Sequence, residues 1–371
     1  MLLAKSHKQT QTHHHSGSEY FSHFHLYKHN ECQKESTCAN NLNMFFNKAS
    51  KLAHALRHNH TTNIHARKQR TAVVVGSTSG IGQACAKRLA QDPNWTVVAV
   101  GRDRPGRSEE VLSSLNSEGV DTNSDFASHH EFYGCDAFSL DNVQNCSKSI
   151  LEKHETIDAL IMSQGMATIQ GFTPTAEGND EKLSLHYWSR MAFVLALLPA
   201  LHKSDMPGGA VVLSILSGGV HNPYEKFRED PELQNNYSIQ NAADIAGFYN
   251  DVGLDALARC SLNVGINFIH ASPGFVNTNW GTEMPWYLKG PIRAMQKLGR
   301  DPMDVAEIML DPVFKSETSQ CSPLIGKEGV SIMDHNGNVG NFTKMHDKSS
   351  RDFVWSVTKE VLQRSGISVE I

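Results

Sequence analysis

Val73-Val74-Val75-Gly76-Ser77-Thr78-Ser79-Gly80-Ile81-Gly82 decides how this chain folds. A β-branched apolar strand runs into a glycine-rich turn, and the helical run Gln83-Ala84-Cys85-Ala86-Lys87-Arg88-Leu89-Ala90 follows at once. The three glycines answer three different demands. Gly76 makes the tight turn off the strand, Gly80 lets backbone N–H groups approach a pyrophosphate, and Gly82 lets helix and strand pack closely. The helix N-terminus points its free N–H groups and the positive end of its dipole at the phosphates. Glycine alone says little. The spacing Gly-x-x-x-Gly-x-Gly between a strand and a helix predicts a nucleotide site built by Gly76, Ser79, Gly80, Ile81 and Gly82.

Outward from this turn, strand and helix patterns alternate. Strands are expected at 72–76, 95–100, 130–135, 157–162, 210–216, 264–270 and 329–333, with helical stretches between them. Seven strands with helical crossovers predict an α/β fold, a doubly wound parallel sheet of the Rossmann type, forming a single domain over 71–371. Ligands in such sheets bind beyond the carboxyl ends of the strands, where the 76–82 turn falls. There are no internal repeats. The longest apolar run, Met191 to Leu201, contains Pro199 and is too short to span a bilayer, so no integral membrane segment is expected.

The chain has 371 residues, is 39% hydrophobic and 20% charged, and carries a formal net charge of -5. Residues 1–70 hold ten Lys/Arg against three Glu and eleven of the 20 histidines, whereas the rest holds 24 Lys/Arg against 36 Asp/Glu. An acidic folded part disfavours a nucleic-acid partner. The polar, histidine-rich basic tail over 1–70 buries too little apolar surface to offset its ordering entropy, so disorder is expected there. His13-His14-His15 reads as a solvated tract, and no metal site is expected. Seven cysteines without a Cys-x-x-Cys pair read as reduced thiols in an intracellular protein. It would be cytoplasmic, or mitochondrial if residues 44–70, basic and amphipathic, act as a transit peptide.

The glycine spacing resembles that of the short-chain dehydrogenase/reductase family, and the resemblance runs with gaps to about residue 280. The second strand ends at Gly101-Arg102, where an NAD-type enzyme would place a carboxylate on the ribose 2′-hydroxyl. A guanidinium there suits a 2′-phosphate, so NADP is favoured over NAD. Asp136 is similar to the family's adenine-contacting aspartate, and Gly165 matches the last residue of its Asn-Asn-Ala-Gly site. Pro273-Gly274-Phe275-Val276-Asn277-Thr278 is similar to the Pro-Gly-x-x-x-Thr segment that passes the nicotinamide. After it, Trp280, Met284, Trp286 and Tyr287 occupy the position of a substrate flap.

The resemblance also implies the chemistry: a carbonyl and an alcohol interconverted on a small apolar or lipid-like substrate. Ser217 takes the position of the serine that hydrogen-bonds the reacting oxygen. Tyr237 would open a helix as the proton donor or acceptor, and the long interval from Ser217 to Tyr237 resembles the retinol-dehydrogenase-like branch. Asn241 then stands where the family has a lysine, and His186 falls near its catalytic asparagine. Counting back from Leu254-Asp255-Ala256-Leu257-Ala258-Arg259, however, puts the tyrosine position near Gly247, which makes Tyr249 the rival donor. The alternative reading is a catalytically impaired NADP(H)-binding sensor or interaction protein, because Asn241 supplies no positive charge. A homodimer is the candidate assembly.

Overall fold

The computed structural model describes residues 68–117, 129–279, 281 and 285–369. The expectations for the tail through residue 67, including the transit peptide and its histidines, and those for Trp280 and Met284 lie outside the described residues. Seven strands form one parallel sheet: β1 (Arg70–Val75), β2 (Trp95–Gly101), β3 (Glu131–Gly134), β4 (Ala159–Met162), β5 (Ala210–Ile215), β6 (Ile266–Ala271) and β7 (Ser331–Met333). Their spatial order is β3-β2-β1-β4-β5-β6-β7, with β1 paired in parallel to both β2 and β4.

The sequence dictates this arrangement through continuous apolar runs. Ala72 to Val75 and Val97 to Val100 are buried on both faces, the condition of a parallel strand covered by helices above and below. On one face lie α1 (Gly80–Ala90), α2 (Arg107–Asn116) and, after β6, α7 (Pro302–Thr318). On the other lie α3 (Leu140–Lys153), α4 (Ser189–Leu201), α5 (Ile239–Ala258) and α8 (Lys348–Arg364). The remaining helix, α6 (Trp286–Gln296), follows the 273–278 segment, with Trp286 and Tyr287 exposed on it. Winding runs outward from β1 to β3 and then reverses through β4. The reversal opens a crevice between the ends of β1 and β4.

Several strands are shorter than their apolar runs. β6 begins at Ile266 rather than 264, because Val264 is exposed and Gly265 turns with φ of 91°. The β7 pairing starts only at Ser331, opposite Ile269. The largest local correction concerns Tyr237, which does not open a helix. Ser238 is the N-cap of α5, its hydroxyl accepting from the Asn241 N–H, and Tyr237 precedes the cap.

Gly82 is the tightest point between α1 and the sheet, where an added Cβ would strike the Gly76 carbonyl oxygen and Ser163 Oγ. Gly82→Ala is therefore expected to destabilise the protein by about 1–3 kcal/mol through overpacking. Urea unfolding would read this as a lower midpoint at unchanged slope, and an unchanged midpoint would refute the steric argument.

Candidate active site

Gly76, Ser79, Gly101, Arg102, Asp136 and Gly165 line a single cavity of about 300 Å³ over the β1–β4 reversal. Local backbone geometry explains its shape. Gly76 has φ of 88°, and a Cβ there would lie 2.7 Å from the Gln164 nitrogen. Gly80 has φ of 61°, and its Cβ would lie 3.2 Å from Thr278 Cγ2, so the glycine turn and the 273–278 segment meet. Gly274 turns with φ of 72° against His335. Pro273 lies in that same segment, and the preceding Ser272 N–H bonds the Met333 carbonyl. Ile81 packs into the core behind the turn. Arg102 is exposed at the cavity wall with its guanidinium 5.9 Å from the Phe138 ring centre, and Asp136 Oδ1 accepts from the Phe138 N–H.

The floor rests on a residue that the sequence reading did not single out. Arg190, fully buried on α4, donates to the carbonyls of Met162, Gln164 and Ile215 and to Ser214 Oγ at 2.6 Å. It ties the carboxyl end of β4 to that of β5. Burial pulls its guanidinium down to about 9, which leaves it charged at neutral pH. Ser214 Oγ donates to Asn250 Oδ1, whose amide reaches the His186 carbonyl, so α5 is bound into the same network.

His186 sits in a π-helical turn, Ser184–Trp188, that precedes α4. Its Nε2 accepts from the Met166 N–H at 3.0 Å and lies 3.4 Å from where a Cβ on Gly165 would be. It therefore supports the end of β4 beside the cavity. Burial, with Arg190 and Lys182 nearby, pushes its imidazole down to about 3.

Neither of the two tyrosines expected to exchange protons hydrogen-bonds Ser217, whose Oγ, like the Tyr237 hydroxyl, is buried without a partner among the described residues. Tyr249 is wholly buried, donates to the Pro231 carbonyl and packs edge-on to Tyr187 and Trp188. Tyr237 stands edge-on to Phe172 with Lys182 Nζ 5.2 Å from its ring centre. Burial and the charges of Asp180 and Glu181 raise its phenol well above the ordinary value. Asn241 reaches the Asn236 carbonyl and helps cap α5. The residue facing Ser217 is Gly247: a Cβ there would lie 2.5 Å from Ser217 Oγ and 2.7 Å from His221 Cδ2. Tyr237 is ten residues before Gly247 and lies outside α5, ahead of its Ser238 cap.

One turn after Gly247 stands Asp251, also missed in sequence. Its carboxylate is fully buried between two imidazoles, His221 Nε2 at 2.8 Å and His270 Nδ1 at 2.5 Å. Those two partners hold Asp251 below its ordinary carboxylate value although burial alone would raise it. His270 Nε2 accepts from the Ser217 N–H at 3.3 Å. The signals were a carboxylate in the middle of a largely apolar helix, and a histidine and an arginine inside buried runs.

The short chain dehydrogenase family model matches residues 70–227. Over that stretch the chain is similar to the short-chain dehydrogenase/reductase family. An oxidoreductase of Emericella nidulans is 33% identical over 214 residues, covering 56% of this chain and 59% of that protein. The oxidoreductase andH of Emericella variicolor is 27% identical over 324 residues, covering 79% of this chain and 91% of that one. A crystal structure of a protein from Mycobacterium Paratuberculosis shares the fold, with a TM-score of 0.56 at 17% identity, over 82% of this chain and 96% of that one. The chain thus spans about 59% of the first relative's length. The fold is the nucleotide-binding one that these proteins share.

Because the His186 imidazole titrates lower folded than its free value of about 6.5, the unfolded chain binds that proton more readily. The stability tied to its neutral ring is complete above about pH 6.5 and is lost as pH falls toward about 3. His186→Gln keeps an acceptor for Met166 and should flatten this decline. The difference in slope between the two proteins, measured by urea unfolding from pH 7 to 5, should not exceed about 1.4 kcal/mol per pH unit. The ring is half-buried, so solvent reduces the effect. Parallel slopes would refute the assignment.

Proposed function

We propose that the chain is an NADP(H)-dependent oxidoreductase that interconverts a carbonyl and an alcohol on a small apolar substrate. The observation that carries this reading is Arg102 on the cavity wall, directly after Gly101 at the end of β2, with no carboxylate at the Gly101 position. A guanidinium there recognises a 2′-phosphate in fork geometry. The glycine cradle fits a dinucleotide, since side chains at Gly76 or Gly80 would strike Gln164 or Thr278 and close the crevice. Asp136 stands at the adenine end, and Gly165, Pro273, Gly274 and Thr278 stand toward the nicotinamide end. Bound there, the dinucleotide supplies the hydride. Ser217 Oγ, buried with no hydrogen-bond partner among the described residues, is free to bond the reacting oxygen.

A second reading, a nucleotide-binding sensor with impaired catalysis, is supported by a different observation. Gly247 and Asp251 face Ser217 and its neighbours, and neither can replace a phenol and an ammonium.

Fluorescence titration tests the cofactor. NADPH should bind more tightly than NADH, and Arg102→Asp should erase the preference by removing a charge-assisted phosphate contact of roughly 1.5–3 kcal/mol, about one to two orders of magnitude in affinity. Equal affinities in the unaltered protein would defeat the NADP assignment. Loss of nicotinamide absorbance with aldehydes, ketones and retinoids tests the reaction. NADPH binding without turnover on any of them would favour the sensor.

A further inference from the structure

We propose that His221, held by Asp251, is the proton-transfer residue of this site, an imidazole in the place left open by Gly247. This rests on the oxidoreductase reading above and names the group that reading lacks. Three observations on separate elements converge. Helix α5 presents no side chain at Gly247, and the His221 ring packs into that space, with Cγ and Cδ2 each 2.7 Å from the Cβ that is missing. One turn along the same helix face, Asp251 accepts from His221 Nε2. The loop after β5 that delivers His221 also carries Ser217, whose Oγ lies 2.5 Å from the same Cβ position and has no partner among the described residues. The ring arrives from a loop and its anchor from the helix, where the family has both groups on the helix.

His221 faces oxygen at both nitrogens: Asp251 Oδ2 at 2.8 Å and its neighbour's carbonyl, Asn222 O, at 3.3 Å. Neither oxygen can donate, so an N–H at either nitrogen finds an acceptor. The Nε2–H is tightly held by a buried carboxylate, while the longer Nδ1 contact leaves that N–H exchangeable. Ser217 Oγ and His221 Cγ are no more than about 5 Å apart through the Gly247 position. In reduction, the carbonyl carbon accepts a hydride from the nicotinamide, and the π pair moves to oxygen. That oxygen takes the Nδ1 proton, leaving neutral imidazole to be reprotonated by water. Oxidation runs in reverse, with neutral Nδ1 accepting the hydroxyl proton. Asp251 acts through His221 and is a positioning residue. Its other oxygen is fixed by His270, which also feels the charge of Arg190, and Asp244 holds the Asn222 N–H.

The experiment compares full-length protein with His221→Gln, Asp251→Asn and Tyr237→Phe, on a substrate turned over by the unaltered chain. His221→Gln should lower turnover at least about 100-fold with NADPH affinity unchanged. Asp251→Asn should lower turnover with NADPH affinity unchanged, because the carboxylate no longer orients the His221 ring, and Asp251→Glu should recover part of the loss. Tyr237→Phe should leave turnover within about twofold of the unaltered protein. A readout independent of turnover is nitrogen-15 NMR of the histidine side chains without cofactor. There the His221 Nε2 resonance should shift in Asp251→Asn, reporting loss of the carboxylate that holds it. Retained turnover in His221→Gln, or its loss only in Tyr237→Phe, overturns the inference while leaving the oxidoreductase reading intact. No turnover by the unaltered chain overturns both, and a His221 resonance indifferent to Asp251→Asn overturns the inference alone.

Discussion

A guanidinium buried among carbonyl oxygens holds this site together. Every hydrogen bond that Arg190 donates among the described residues goes to a neutral oxygen at the end of β4 or β5. Desolvating such a charge is costly, so it persists only where several acceptors converge on it. They converge here because β4 and β5 are adjacent and parallel, which brings Met162 and Ser214 side by side in register. Deleting the arginine would strand those acceptors in the core, at about 1–3 kcal/mol for each one left without a donor. The relative placement of Gly165, below the nucleotide cleft, and Ser217, beyond β5, follows from this clamp.

The clamp also sets the electrostatics. A fixed positive charge near His270 and His186 disfavours a second proton on either ring, and the structure accordingly uses both as acceptors from backbone N–H groups. Asp251 is the counterweight, a buried carboxylate whose two oxygens each meet an imidazole. Near the carboxyl ends of the central strands a buried cation on α4 is thus matched by a buried anion on α5. The strand ends lie between them.

The fold and the nucleotide cleft were legible because their determinants are local. Val73 to Gly82 encode a strand, a turn and a helix in ten consecutive residues, and Gly101-Arg102 and Cys135-Asp136 each follow a recognisable strand. The catalytic end was not legible in the same way. Tyr237 looked like a helix opener because Ser238 and Asn241 follow it, but those two residues form the cap and leave the tyrosine outside. The count back reached Gly247, which faces Ser217, yet a glycine carries no chemistry of its own. What gives it meaning is His221, which is distant in sequence and near only because the loop after β5 folds back over α5. A triad assembled from a loop, a helix and a strand leaves no spacing to read.

The strands at the two margins of the sheet have a further consequence. β3 has four residues and β7 has three, far fewer than the six of β1. Each offers a short row of open backbone groups to another molecule. Association by strand addition would find little to zip onto at either border, which protects a seven-stranded sheet from lateral growth. Copies of this chain that meet would do so through helix faces, side chain against side chain.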